Sequence, residues 1–393
     1  MTTTITNEHK KLNVPNLRFP EFQGEWEVES IKDVADFMGG GTPSSSNESF
    51  WQGTIPWISS SDIVENDIKN ISISRYITEE AIAHSATKLC PAPSILIVSR
   101  VGVGKIALSK EAICTSQDFC NLINIKVEPI FLTYCLSQIM KRKSMEVQGT
   151  SIKGITTSEI QKISINIPSL QEQKKIGKIL SLLDERIATQ NKIIDKLQSL
   201  IKGIVDCTIL RKEKNAIVGD VCSISEQIRA EANIDDIITV RLHGNGVCKS
   251  SAENLQLGAT QYYRRRAGQL IYGKQNFHNG AIGIVPISLD NGITSKDIPS
   301  FDIDEMKCNS VYLLAQLQSP QYYKPAEALT TGTGSKRLKE ETFLRMPIVL
   351  PNKREQDNIA VLIHRASMKL DHAKNLLELL SIQKQYLLRQ MFI

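Results

Sequence analysis

Apolar residues along this chain follow two different periods, and the change from one to the other marks out its parts. Over 169–206 they recur at intervals of three and four. One row holds Ile176, Leu183, Gln190, Leu197 and Ile204, and the alternate row holds Leu180, Ile187, Ile194 and Ile201. Over 352–389 the same spacing gives Ile359, Ala366, Ala373, Leu380 and Leu387, with Ile363, Leu370, Leu377 and Lys384 between them. Each stretch predicts a long helix with about four heptads of coiled-coil seam. Gln190, Ala373 and Lys384 interrupt the apolar rows, where they fix register or face a further partner. Just before each stretch a short apolar run reads as a strand.

The two helical stretches are copies. Residues 149–206 align without a gap onto 332–389, pairing Gly149 with Gly332, Thr150 with Thr333, Lys153 with Lys336, Pro168 with Pro351, Glu172 with Glu355 and Gln173 with Gln356. Each copy reads as a loop, an apolar strand ending in proline (ISINIP, MPIVLP), then the helix. Ser169 and Asn352 stand where N-caps belong, each with a carboxylate three residues on. Helices of about 37 residues would be roughly 55 Å long. The seams are most simply buried against each other, and the intervening chain must return to the start of the second helix, so the pair is expected to be antiparallel.

The regions before the helices share a weaker pattern. SILIVSRVGVGKIA (94–107) gives a strand, a basic residue, a glycine turn and a second strand, and QLIYGKQNFHNGAIGIV (269–285) repeats that order. TSQDF (115–119) and TSKDI (294–298) follow, and the starts SIKDVADF (30–37) and AIVGDVCSI (216–224) correspond. Elsewhere they diverge, and all three tryptophans (26, 51 and 57) lie in the first. The chain therefore divides into a globular region over 1–168, a helix over 169–210, a second globular region over 211–351 and a second helix over 352–393. The fold class is α/β (α+β), two globular domains separated by two long antiparallel coiled-coil helices.

Composition is that of a soluble globular protein of 393 residues, 41% hydrophobic and 23% charged, long enough for more than one core. No apolar run reaches the roughly 18 residues of a membrane span, and the start MTTTITNEHKK has no apolar stretch of a secretory signal. A cytoplasmic protein with no membrane contact is expected. The eight cysteines are scattered without C-x-x-C and His is scarce, so buried thiols are expected, with no metal site or disulfide framework. The net charge of +5 is uneven: 1–148 carries −3, 149–214 +5, 215–331 −2 and 332–393 +5. The basic surplus thus sits in the two repeated segments.

Catalytic signatures are missing. There is no N/D-P-P-F/Y tetrapeptide of amino-methyltransferases, no G-x-S-x-G and no H-E-x-x-H. Gly102-Val103-Gly104-Lys105 lacks the glycine and the hydroxyl residue of a phosphate loop, having Ser99 and Ile106 there, and reads as a tight turn. Asp302, Asp304, Glu305 and Lys307 have a loosely nuclease-like spacing but no second acidic cluster, and read as a solvated loop.

The opening NVPNLRFPEFQGEWE (13–27), the segment GTSIKGIT with IPSLQEQKKI, and its second copy GTGSKRLKEE with LPNKREQDNI resemble the specificity subunits of type I restriction–modification systems. The resemblance covers essentially the whole chain, departing between copies at Lys353–Arg354, where the first has Leu170–Gln171. It implies a non-catalytic subunit in which two target recognition domains each read one half of a split, asymmetric site on double-stranded DNA, with the helices setting the gap. It also implies as partners two methyltransferase (modification) subunits and restriction (translocase/nuclease) subunits. S-adenosylmethionine, ATP and Mg are expected in those partners and no cofactor in this chain.

For such a role Lys, Arg and backbone amides hold phosphates, while polar side chains read base edges. Candidates in the first domain are Thr42 and Ser44 on the loop GGGTPSSSNESFW (39–51), whose glycines would let backbone approach the duplex. Ser59, Ser60, Arg100, Lys105 and Gln117 join them. The second domain offers Arg241, His243, Asn245, the run Arg264–Arg265–Arg266, Lys274, Asn276, Asn279 and Lys296. Three successive arginines are costly to bury, so they are expected to face solvent or a polyanion. The repeated loops, with Gly149, Thr150 and Lys153 in one copy and Thr333, Lys336 and Arg337 in the other, are phosphate candidates because sequence-independent contacts should be the common ones. A plain surface loop at 39–51, a solvated arginine face and a turn role for the repeated loops stand beside these readings. The alternative function is a coiled-coil scaffold with no nucleic-acid role, which a salt-dependent, sequence-selective shift of duplex DNA would separate from the first.

Overall fold

A computed structural model describes residues 12–148, 154–250, 260–332 and 336–393. The chain forms two compact units, one of residues 1–190 with 376–393 and the other of residues 191–375. The two predicted helices are present as Leu170–Val205 and Lys353–Gln390, 36 and 38 residues long. Both start where the caps predict: the Glu172 amide donates to Ser169 Oγ at 3.4 Å, and the Glu355 amide donates to Asn352 Oδ1 at 3.0 Å. These bonds satisfy amides that a helix start leaves without intrahelical partners.

The seam residues lie on the covered side. Ile176, Leu180, Leu183, Ile194, Ile359, Ile363 and Leu380 are buried, while Ile187, Leu197, Ile201, Leu370, Leu377 and Leu387 are half-buried. In the first unit Asp184 meets Lys384. In the second, Val205 shares a core with Ile359 and Ile363. Position numbers rise along one helix as they fall along the other, so the helices run antiparallel.

Each unit has its own core. In the first, strands Asp36–Gly39, Phe119–Ile123, Ser94–Val98 and Ile106–Ser109 form one antiparallel sheet in that order. Phe131, Leu132, Leu136 and Met140 of the helix Pro129–Gln148 join its core, with Ile176 and Leu180 of the first long helix and Leu388 and Met391 from the end of the second. In the second unit, strands Cys222–Ile224, Ser300–Ile303, Leu270–Tyr272 and Ile282–Ile284 repeat that sheet order. Here the core holds clustered aromatics, Tyr272, Phe277, Phe301 and Phe343. The proline-terminated strands close both units alike: Ser164–Ile167 pairs with Glu27–Ser30, and Pro347–Ile348 with Ala216–Ile217.

The remaining sheets differ. The first unit has a mixed sheet ordered Arg75–Ile77, Ile55–Ile58, Ile113–Thr115, Leu89–Cys90, with one parallel pair. The second has Arg229–Ala230, Tyr262–Arg265 and Gly292–Ser295, plus the pair Ile238–Val240 and Val247–Lys249. Divergence is thus concentrated in one layer of each unit.

The repeated Glu-Gln pair explains how a helix is joined to its globular region. Gln173 accepts from the Glu128 amide at 2.9 Å and donates to Pro168 O at 2.8 Å. Gln356 accepts from the Asn309 amide at 2.9 Å and donates to Pro351 O at 2.8 Å. Both are buried, and each ties a long helix to the start of the neighbouring helix, Pro129–Gln148 or Ser310–Leu317. Beside them, Arg18 forms a forked pair with the buried Glu172, 2.8 Å on each arm, while Lys212 pairs with Glu355. Of the cysteines, 90, 114, 120, 135, 222 and 308 are buried, and burial pushes the Cys90 and Cys135 thiols up to about 12.

Candidate nucleic-acid interface

Three segments distant in sequence converge in each unit through the same backbone ladder. In the first, the Ile155 amide donates to Ser99 O at 2.8 Å, and the Ser99 amide donates to Asp118 O at 2.8 Å. In the second, the Leu338 amide donates to Lys274 O at 2.9 Å, and the Lys274 amide donates to Asp297 O at 2.9 Å. The exit of the repeated loop, the end of the strand before the glycine turn, and the Thr-Ser-x-Asp turn are thereby joined twice over. The backbone is shared, whereas the side chains it carries are not.

In the first unit this junction presents Arg100 and Gln117, both exposed. Thr42 comes to it from the 39–51 loop and donates through Oγ1 to Gln117 Oε1. Ser44 is exposed nearby in sequence, its hydroxyl 2.8 Å from that of Ser46. Ser59 and Ser60 are half-buried and already engaged: Arg75 donates to Ser59 Oγ at 2.7 Å, and Lys105 Nζ donates to Ser60 O at 3.2 Å. Lys105 ends the predicted turn, where Gly102 and Gly104 adopt φ of +87° and +103° that favour glycine. It also lines a cavity of about 860 Å³ with Lys141, Arg142 and Arg389.

Of the glycines at the start of the 39–51 loop, Gly39 has open space beside it, whereas Gly40 and Gly41 pack against the protein itself. A Cβ on Gly40 would stand 2.1 Å from Ser116 O, and one on Gly41 would stand 2.3 Å from the Ala86 carbonyl carbon. They let the loop lie against the protein's own backbone, which the Gly41 amide bonds at Thr115 O, 2.8 Å away. This close packing sets where Thr42 meets Gln117.

In the second unit two loops lie side by side. The His243 amide donates to Asn279 O at 2.7 Å and the Gly244 amide donates to Gly280 O at 2.9 Å. This gathers His243, Asn245, Asn276 and Asn279, with His278 between the last two as a polar neighbour that the residue pattern did not single out. Arg241 and Lys296 are exposed, Arg241 donating from Nε to Cys248 Sγ at 3.0 Å. Lys336 is exposed, 3.6 Å from Glu327, and Arg337 pairs with Asp297 at 3.2 Å. Gly149, Thr150, Lys153 and Thr333 lie outside the described residues.

Two expectations are corrected. Arg265 is fully buried, because Tyr262–Arg265 is a strand whose side chains alternate between faces. Only Arg264 and Arg266 point outward, and the cavity of about 380 Å³ that they line also holds Glu226, Asp302 and Glu305, so this is no simple cationic face. Lys274 is withdrawn from solvent by an ion pair with Glu340 at 2.6 Å, its side chain 11% exposed. Asp302 accepts from Gln269 at 2.9 Å and Asp304 pairs with Lys307 at 3.2 Å, contacts that suit a structural loop.

Known proteins share this organisation. Residues 23–199 match the family described as type I restriction modification DNA specificity domain. The chain is 33% identical over 183 residues to the MjaIX type I restriction enzyme specificity subunit of Methanocaldococcus jannaschii, 44% of this chain and 42% of that one. It is 35% identical over 195 residues to the EcoR124I/EcoR124II specificity subunit of Escherichia coli, 47% of each. These matches thus span about half the length of either relative. A longer match, 22% identical, covers 88% of this chain and 86% of the MjaVIII specificity subunit of M. jannaschii. The fold matches the crystal structure of a type I restriction-modification system S subunit from M. genitalium, with a TM-score of 0.65 and 14% identity over 97% of this chain and 99% of that one.

Proposed function

We propose that this chain is the DNA sequence-recognition subunit of a type I restriction–modification complex, each unit reading one half of a bipartite asymmetric site. The observation that carries the proposal is the duplicated backbone junction bearing unlike polar side chains. Thr42, Arg100 and Gln117 project at one copy. Lys296 projects at the other, and His243, Asn245, Asn276 and Asn279 gather on the paired loops of the same unit. A common scaffold with divergent tips is what reading two different sequences requires, since backbone contacts fix register while side chains discriminate bases.

The antiparallel helices set the unread gap and receive two methyltransferase subunits. Their outer faces support a docking role, with Leu182, Leu379, Ile382 and Tyr386 exposed in the first unit and Leu200, Val361, Leu362 and Met368 in the second. Methyl transfer belongs to those partners, acting with S-adenosylmethionine on a base turned out of the duplex. Translocation and cleavage belong to restriction subunits using ATP and Mg. On this reading the chain itself is non-catalytic and works in the cytoplasm; no helix among the described residues is long and apolar enough to cross a membrane.

Long-read methylome sequencing tests the proposal. A host supplying the partner subunits should gain one bipartite methylated sequence when this chain is expressed and lose it when the chain is removed. An unchanged methylome in a competent host would overturn the reading.

A further inference from the structure

Arg265 is a buried cation without a buried anion. Its guanidinium donates from Nε to Thr294 Oγ1 at 2.7 Å, from one terminal nitrogen to Ser300 Oγ at 2.9 Å and Gln227 Oε1 at 3.4 Å, and from the other to Ile298 O at 2.9 Å. All four partners are neutral. Burial lowers its pKa to about 10, which leaves it charged at neutral pH. The Tyr263 ring lies 5.7 Å from the guanidinium carbon, and a desolvated charge held only by that ring and by neutral hydrogen-bond partners is costly, so its place demands a geometric return.

That return is the shape of one turn. Thr294 and Ser300 are the two stems of the 295–299 turn, and Ile298 O lies within it. A planar fork touching all three fixes the width of the turn in a way that a flexible ammonium would not. The first unit closes the matching turn directly, with Asn121 Nδ2 donating to Thr115 Oγ1 at 2.7 Å. Thr294 stands in the place of Thr115. Ser300 stands in that of Asn121, since Ser300 pairs with Ile271 across the sheet as Asn121 pairs with Leu96. Serine has a shorter reach than asparagine, and the guanidinium spans the difference.

The braced turn carries Lys296 outward, and its Asp297 receives the Lys274 amide and the Arg337 side chain. We infer that Arg265 is a positioning residue for recognition at the second unit, holding the 295–299 turn in the form that presents Lys296 to DNA. The inference rests on the recognition function proposed above. It assigns to the buried member of the arginine run a part in specificity without DNA contact.

The test uses the full chain assembled with its modification subunits and measures competition between duplexes altered in one half-site at a time. Arg265→Lys keeps the charge and loses the fork, while Thr294→Val keeps the shape and loses the hydroxyl that both accepts from Arg265 and donates to Ile298 O at 3.1 Å. Discrimination at the half-site read by the second unit should fall roughly tenfold in Arg265→Lys, and less in Thr294→Val, with the other half-site unchanged. Undiminished discrimination in either variant overturns the inference, as does an equal fall at both half-sites, which a general loss of structure would produce. Should Arg265→Lys fail to assemble, Thr294→Val combined with Ser300→Ala is judged by the same criteria. A wild-type complex indifferent to both half-sites would overturn the recognition reading itself, and this inference with it.

Discussion

Lys384 occupies a heptad position that neighbouring turns fill with apolar side chains, and its ammonium meets Asp184 at 2.5 Å and Asn66 O at 3.3 Å. The two charged side chains are only 15% and 11% exposed. Tyr134 adds a hydroxyl donor to Asp184 Oδ2 at 2.6 Å, and burial together with that carboxylate drives its pKa far above the usual phenol range, so it remains a donor. The interruption noticed in the apolar row is therefore a register key. Lys384→Met strands the Asp184 carboxylate and should cost about 3 kcal/mol, whereas adding Asp184→Asn should restore at least half of it. Denaturant unfolding of the single and double variants measures both, and a single-variant cost below about 1 kcal/mol would contradict the assignment. Period exposed Lys384 in the sequence because helical spacing was already established around it. Period two gives no such guide at Arg265, because in the strand Tyr262–Arg265 the buried Tyr262 shares a face with the exposed Arg264. Composition alone, three arginines in a row, pointed all of them out.

The long helices were legible because a seam, two caps and a gapless second copy all agree over more than thirty residues. Their neighbours were less so. Strands of three to five residues, such as Ile55–Ile58 and Ile113–Thr115, pair in parallel across more than fifty intervening positions, and nothing local in their residues specifies that partner. The shared sheets could be read from the duplicated strand–turn–strand pattern, the divergent ones could not. The helices also make a prediction about distance. Inserting seven residues after Gln190 and seven after Asn375 preserves the seam faces and lengthens the pair by about 10 Å, or about three base pairs. The methylome should then show the same two half-sequences with a wider gap. Altered half-sequences would mean that the helices do more than space.

At the scale of the molecule, two units with separate cores share one backbone plan and differ in the layer that carries their polar tips. Side chains in one unit should accordingly act on one half-site only. Gln117→Ala and Asn279→Ala, combined, should lose binding free energy equal to the sum of the single losses within about 0.5 kcal/mol, measured by competition on the assembled complex. A larger departure would mean that the units are not read independently. The candidate tips were identifiable from residue type, but which of them were spent on internal bonds, as Lys274 is on Glu340, depended on contacts between segments far apart in the chain. One further consequence comes from Leu388 and Met391, which complete the core built mainly from residues 26–180. During translation the earliest-made sheet and helix leave the ribosome with an apolar gap that stays open until the chain has grown from Leu180 to Leu388 and Met391. Such a nascent intermediate offers apolar surface to proteases and chaperones for the whole of that interval, so slower synthesis is expected to lower the yield of finished protein.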